Sequence, residues 1–371
     1  MTVSHTMPTT MRAFVLTGHG EMDKLQFNAD WPVPSPAADE VVIKVGACGL
    51  NNTDVNTRTA WYSKGVSGET TGGGFDDADD EDATWGGAAI TFPRIQGADV
   101  VGIVVGLGAA CDPSLMGKRV MIDTWLRDWD DPHNLEKCGY YGSECDGGFA
   151  DYTTAKMQNV HIVNSALSDV EIATFATSYI TAENMLNRAN VAAGDTVLIP
   201  GASGGVGSAL IQLANRRGAR TIAMCSEAKI DGVRLMEPTA ILPRAPANLK
   251  AALRTAIGTE TVTVVADVVG GDSWPQLIDV LARGGRYSCA GAIAGPMVEM
   301  DLRTFYLRDL TFTGATIVPH GIFADLVRYI ENGEIKPVIG GVYPLTELHA
   351  AQQAFIDKNH VGNIVISMTA D

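Results

Sequence analysis

Hydrophobic positions follow two patterns along the chain, and the change comes near residue 168. Before it, short apolar runs separated by Gly and Pro turns predict strands at MRAFVLTG (11–18), VVIKVGACGL (41–50), ADVVGIVVGLG (98–108) and KRVMID (118–123). This part reads as an irregular β-rich domain. Beyond it, SDVEIATFATSYITAENMLNRA (168–189) has helical spacing, with Ser168 and Asp169 as start signals. Strand and helix then alternate: TVLIPGA (196–202), a helix from about Gly205 to Arg217, TIAMCS (221–226), a helical NLKAALRTAIG (248–258), TVTVVADVVG (261–270), a helical SWPQLIDVLARG (273–284) and GGRYSCAGA (284–292). That alternation specifies a parallel, doubly wound α/β sheet. LTFTGAT (310–316), two amphipathic helices (323–333 and 347–358) and a last strand, GNIVISM (362–368), complete the pattern.

Composition narrows the class. A chain of 371 residues exceeds one ordinary core, so two domains are expected. The formal net charge of −16 repels phosphate backbones and anionic surfaces, which argues against nucleic-acid and membrane partners. Part of that charge sits in FDDADDED (75–82), which reads as a solvated loop. Six scattered cysteines without a CxxC pair fit free thiols in a reducing cytoplasm. The start of the chain lacks the pattern of a signal peptide, and no apolar run reaches the roughly 20 residues of a membrane helix. The Gly- and Asp-rich stretch from Ser63 to Phe92 has no periodicity and reads as a lid or contact loop.

Chemistry concentrates in two places. In TVLIPGASGGVGSALIQLANRRG a β-branched strand runs into a turn of small residues, Ala202, Ser203, Gly204, Gly205, Val206 and Gly207, and then into a helix. Small residues let backbone amides approach a pyrophosphate at the positive end of the helix. The strand–turn–helix–strand context makes this a dinucleotide site. The next strand ends in Cys225-Ser226-Glu227-Ala228-Lys229. Ser226 and Lys229 suit a 2′-phosphate and favour NADPH (NADP+), whereas Glu227 could accept the ribose hydroxyls of NAD. The second place is CGLNNTDVNTRTAWY (48–62), a polar cluster at the end of an apolar strand, with Asn51, Asp54 and Tyr62 as candidate catalytic groups.

The chain resembles the medium-chain dehydrogenase/reductase superfamily, and within it the quinone oxidoreductase and enoyl reductase branch. The resemblance rests on MRAFVLTGHG, CGLNNTDVNTR, FPRIQGADVVGIVVGLG, GGFADY, TAENML, the AxGxxG turn, ADVVGG, GGRYSCAGA and KNHVGNIVI, in that order. It implies a GroES-like catalytic domain (1–177 with 320–371) into which a Rossmann domain (178–319) is inserted. It also implies that Thr181, Val269, Gly291 and Ala292 lie along the nicotinamide. The zinc-ligand positions of related alcohol dehydrogenases map onto Asn51, Ala98 and Thr177, none a usable ligand. Cys138 and Cys145 alone remain of a structural zinc lobe. No metal is expected. The resulting expectation is a reductase that transfers hydride from NADPH to an activated double bond of a small molecule: an unsaturated carbonyl, an enoyl thioester or a quinone. Tyr62 would donate a proton or hydrogen-bond the enolate, Asn51 would bind the substrate carbonyl or the nicotinamide ribose, and Asp54 would orient its neighbours. Tyr62 matches the second tyrosine of the quinone reductase stretch, and Asn56 stands in place of the first. The alternatives are an alcohol or aldehyde dehydrogenase holding zinc through other ligands, and a cofactor-binding protein without catalysis. LTFTGAT is expected to pair with its own copy in a homodimer.

Overall fold

The computed structural model describes residues 7–70, 78–86 and 89–369. Two sheets carry the architecture. Six parallel strands lie in the order Ala240–Pro243, Arg220–Cys225, Thr196–Ile199, Val262–Asp267, Leu281–Cys289 and Thr311–Gly314. In chain sequence this order is 3-2-1-4-5-6, the doubly wound Rossmann arrangement, as the alternating pattern predicted. Both faces are covered. Val197 and Ile199 point into the larger core, and Leu198 between them points into a smaller one with Ile222, Val265, Trp274 and Leu277. A strand buried on both faces must be apolar along its buried length, as Val197, Leu198 and Ile199 are.

The second sheet has seven strands and is mostly antiparallel. Glu40–Leu50 is its centre, flanked by Asp99–Leu107 on one side and by the last strand, Asn363–Ser367, on the other. Ile364 pairs with Leu50 and Ser367 with Ala47, so the end of the chain completes the sheet begun near its start. The same segment reaches the parallel domain. Gly362 donates its N–H to the Ser203 carbonyl at 2.8 Å, and Ser178 donates to Asn363 Oδ1 at 2.8 Å.

Two elements differ from the sequence pattern. The helix read over 168–189 is broken into Asp169–Ile172 and Ala176–Arg188. The break presses the Ala173 carbonyl against Gly49, where even a Cβ would come within 2.4 Å of it. Close packing on the strand overrides helical propensity there. The domain boundary read after residue 177 falls in the first turn of the second piece. The helix read over 273–284 ends at Asp279, and a strand starts at Leu281. Gly284, at φ 71°, sits where the register with the neighbouring strand shifts, a bulge that the LARGG run accommodates. Among the described residues no helix is long and apolar enough to cross a membrane.

Candidate active site

A cavity lies where the parallel strand order reverses, between Thr196–Ile199 and Val262–Asp267, and opens against the antiparallel sheet. Crevices at such switch points are where open α/β sheets bind ligands. From the Rossmann side it is lined by Gly201, Gly204, Gly205, Val206, Gly207, Val268, Gly291, Ala292 and, on the helix Ala176–Arg188, Thr181, and from the other by Asn51 and Tyr62. The structure therefore brings most of the residues singled out in the sequence to one wall or the other. Ala202 is fully buried beneath the turn. Val269 packs over Gly201, and its neighbour Val268 faces the cavity.

The turn is shaped for close approach. Helix Gly205–Arg216 begins at Gly204 with no capping side chain, so no side chain competes with an anion for its first N–H groups. A Cβ on Gly207 would fall 2.3 Å from the Gly201 carbonyl, and one on Gly205 would fall 2.3 Å from Asn363 Oδ1. Gly204 is different: its Cβ direction is open to 3.6 Å. Two cations, Lys358 and Lys229, lie close to each other. Lys358 Nζ lies 3.9 Å from the Phe355 ring centre and donates to Asn52 Oδ1 at 2.8 Å. Burial and the neighbouring charge of Lys229 push its pKa down to about 8. Lys229 in turn donates to the Lys358 carbonyl. Ser226 and Lys229 lie off the main cavity, at the end of Arg220–Cys225. Cys225 pairs with Pro243, which sets Arg244 beside them; after burial, the charge of Arg244 is the next cause of the lowered Lys229 pKa. Lys358 and Arg244 were not picked out from sequence. Lys358 follows the helix Leu348–Ile356 and Arg244 the strand Ala240–Pro243, and only the tertiary fold brings each close to Lys229.

On the opposite wall, Asn51 caps helix Asn52–Arg58, and its N–H donates to Asp54 Oδ2 at 2.8 Å. Asp54 does not face the cavity. It is buried behind Asn51, also accepts from the Gly97 N–H at 3.2 Å, and burial lifts its pKa to about 7. Asn51 Nδ2 is buried and completes no hydrogen bond among the described residues, although the amide lies close enough to Asp99 to favour that carboxylate's charge. Tyr62 is half-buried, its phenol held by the side chains of Thr53 and Asn56, and desolvation raises its pKa. Aromatic rings close the remainder of the space. Trp61 stands edge-on to Tyr62 with centroids 5.7 Å apart, Trp85 to Trp125 at 4.9 Å, and Trp125 to Tyr140 at 5.4 Å. Trp85 comes from the long loop, and Thr70, also from it, donates its N–H to the Ile293 carbonyl at 3.1 Å. The described parts of that loop thus help to wall the cavity. Residues 71–77, 87 and 88 lie outside the described residues.

The zinc-ligand positions fail the test of donor chemistry. Ala98 has no donor atom and is fully buried. Thr177 Oγ1 is engaged by Asp99 and by Tyr140. Among the described residues no three His, Cys, Asp or Glu side chains are grouped to hold a metal, Cys138 and Cys145 included. The residues present do not fit a catalytic zinc.

Comparison with known proteins places the chain. The alcohol dehydrogenase GroES-like domain family matches residues 37–165, and the zinc-binding dehydrogenase family matches residues 205–332. A solved structure from Sinorhizobium meliloti 1021, provisionally designated an alcohol dehydrogenase, is 44% identical, covers 98% of each chain and superposes with a TM-score of 0.89. The chain is a medium-chain dehydrogenase/reductase. It falls in the quinone oxidoreductase-like branch and is an enzyme of the oxidoreductase type. The quinone oxidoreductase of Rattus norvegicus is 24% identical, covering 94% of this chain and 95% of its own. An NADPH-dependent alkenal/one oxidoreductase of Arabidopsis thaliana is 24% identical, covering 99% of this chain and 82% of its own. In this medium-chain dehydrogenase/reductase the fold matches the zinc-binding family, and the donor set does not.

Proposed function

We propose that this protein is an NADPH-dependent, zinc-independent reductase of activated double bonds, acting on α,β-unsaturated carbonyl compounds or quinones. The observation that carries the reading is a single cavity shared by the phosphate-binding turn and the Asn51–Tyr62 wall, with no usable metal ligands between them. The names of the rat and Arabidopsis relatives support the same chemistry, and the second supports the cofactor.

In this reading the amides of Gly204–Gly207 and the Lys358 ammonium hold the pyrophosphate, and Ser226, Lys229 and Arg244 hold the 2′-phosphate. Thr181, Gly291 and Ala292 border the nicotinamide, with Val268, next to Val269, at the strand end. The bound cofactor supplies hydride. A conjugated carbonyl already polarises the accepting carbon, so the protein's task is orientation and stabilisation of the developing enolate oxygen. Asn51 Nδ2, a buried donor without a partner among the described residues, and the Tyr62 phenol serve that oxygen, and Asp54 fixes Asn51 in place. The wall of Trp61, Trp85, Trp125 and Tyr140 suits flat conjugated acceptors, which stack or meet rings edge-on. The exposed Met297, Leu302, Tyr306 and Leu307 precede the outermost strand Thr311–Gly314 in the chain, and we assign this edge to a homodimer contact.

The test is oxidation of NADPH against enones, enoyl-CoA esters, quinones and aldehydes, with NADH as control. Turnover of unsaturated acceptors with a clear preference for NADPH is the expected result. About one zinc per chain, with activity lost on chelation, overturns the metal-free chemistry; tight NADPH binding with no turnover of any acceptor overturns the enzymatic reading.

A further inference from the structure

A reduced double bond needs a proton as well as a hydride, and one chain of hydroxyls leads from the cavity to a buried acid. Tyr140 and Thr177 both line the cavity. Tyr140 Oη lies 2.7 Å from Thr177 Oγ1, and Thr177 donates onward to Asp99 Oδ1, which also accepts the Thr177 N–H at 3.1 Å. Asp99 itself is 1% exposed and has no direct opening to the cavity. We propose that Asp99, Thr177 and Tyr140 form a proton relay that delivers the proton of the reduction to the α-carbon of the substrate. This rests on the reductase reading above.

The hydrogen-bond directions define how it works. With Asp99 ionised, Tyr140 gives its proton to Thr177 and Thr177 gives its own to Asp99, so Tyr140 offers only lone pairs to the cavity. With Asp99 protonated the chain reverses, and the Tyr140 O–H points outward. In turnover, hydride forms a C–H bond at the β-carbon and the double-bond electron pair moves toward the carbonyl oxygen. That pair then takes the Tyr140 proton at the α-carbon. Tyr140 takes the Thr177 proton, Thr177 takes the Asp99 proton, and a carboxylate remains. Between turnovers the same path, run backwards from water in the open cavity, reloads Asp99. No other co-reactant is needed.

The surroundings suit a neutral, reloadable acid. Burial raises the Asp99 pKa to about 6, while the bonds from Thr177 and the nearness of the Asn51 amide pull it back. Facing it are Asp54 and the thiol of Cys48. Burial holds the Cys48 thiol in its neutral form, and burial together with the charge of Asp99 raises Asp54. Tyr140 is likewise kept neutral by burial, so it passes protons without resting as a phenolate.

The experiment compares wild type with Tyr140→Phe, Thr177→Val and Thr177→Ser from pH 5 to 8, using a reactive enone and saturating NADPH. Reduction needs Asp99 protonated, so wild-type kcat falls as pH rises through a value near 6. Tyr140→Phe and Thr177→Val are expected to lose at least ~100-fold in kcat and to lose that pH limb, with NADPH affinity held within about twofold. Thr177→Ser keeps a hydroxyl and restores both rate and limb. Wild-type turnover and pH dependence in the Phe and Val variants overturns the relay and leaves the reductase reading standing. So does a loss of rate with the pH limb intact, which marks a merely structural role. A wild type that reduces no acceptor overturns the reductase reading, and the relay with it. NADPH binding checks that each variant is folded; if Tyr140→Phe fails it, the Val and Ser pair at Thr177 decides.

Discussion

At the residue scale, the wall opposite the cofactor turn holds two buried carboxylates but no zinc donor at Asn51, Ala98 or Thr177. Asp54 and Asp99 lie behind these positions. These carboxylates orient the Asn51 backbone N–H and the Thr177 hydroxyl. Removing the Asn51 amide also leaves the Asp54 carboxylate short of nothing but a side-chain neighbour, since its bonds run to the Asn51 and Gly97 backbone N–H groups. Asn51→Ala and Tyr62→Phe are therefore expected to fold, to slow kcat by about 10- to 100-fold, and to leave NADPH affinity nearly unchanged. Stopped-flow reduction and a separate NADPH titration check this, and normal turnover in both variants would make this wall scaffolding. Asn51 and Tyr62 were legible because they sit in one motif. Tyr140 was not, because CGYYGSEC reads as the remnant of a metal lobe, and only packing against Trp125 turns its phenol to Thr177.

At the scale of elements, the doubly wound sheet was legible because its strands are apolar on both faces and its helices on one. The broken helix at 173–175 was not, since the cause is a glycine 124 residues earlier in the chain, Gly49, that admits the Ala173 carbonyl. Glycines in the phosphate turn separate into two kinds on the same evidence. Gly205 leaves no room for a Cβ between Asn363 and Ser178, whereas Gly204, at φ −80°, has space within the protein itself. Gly204→Ala is thus expected to change Tm little and to weaken NADPH binding about tenfold or more, because only the ligand's approach is obstructed. Gly205→Ala is expected to lower Tm by several degrees, because a buried wedge must displace a strand or a helix. Thermal unfolding beside fluorescence titration of NADPH separates them. Equal Tm loss in both variants would refute the division.

At the scale of the whole molecule, a charge of −16 keeps copies apart, so association must come from a local apolar edge. The exposed Met297, Leu302, Tyr306 and Leu307, which precede the outermost strand Thr311–Gly314 in the chain, supply one. A dimer of about twice the 39.2 kDa chain mass is expected by size exclusion with light scattering, dissociating when Leu302 and Tyr306 are both changed to Asp. A wild-type monomer at micromolar concentration would sink the assignment. The two-domain plan was legible from the change of pattern near residue 168, but the joint between the domains was not. It depends on Gly362 meeting Ser203 and on Asn363–Ser367 pairing beside Glu40–Leu50, contacts that no local pattern encodes. The pairing of Leu50 with Ile364 joins positions more than 300 residues apart. At a synthesis rate of roughly 5–20 residues per second, the central strand of the first sheet waits tens of seconds on the ribosome with one edge bare. Such an edge recruits other nascent chains or a chaperone, so the yield of this enzyme in a cell depends on how quickly its last strand emerges.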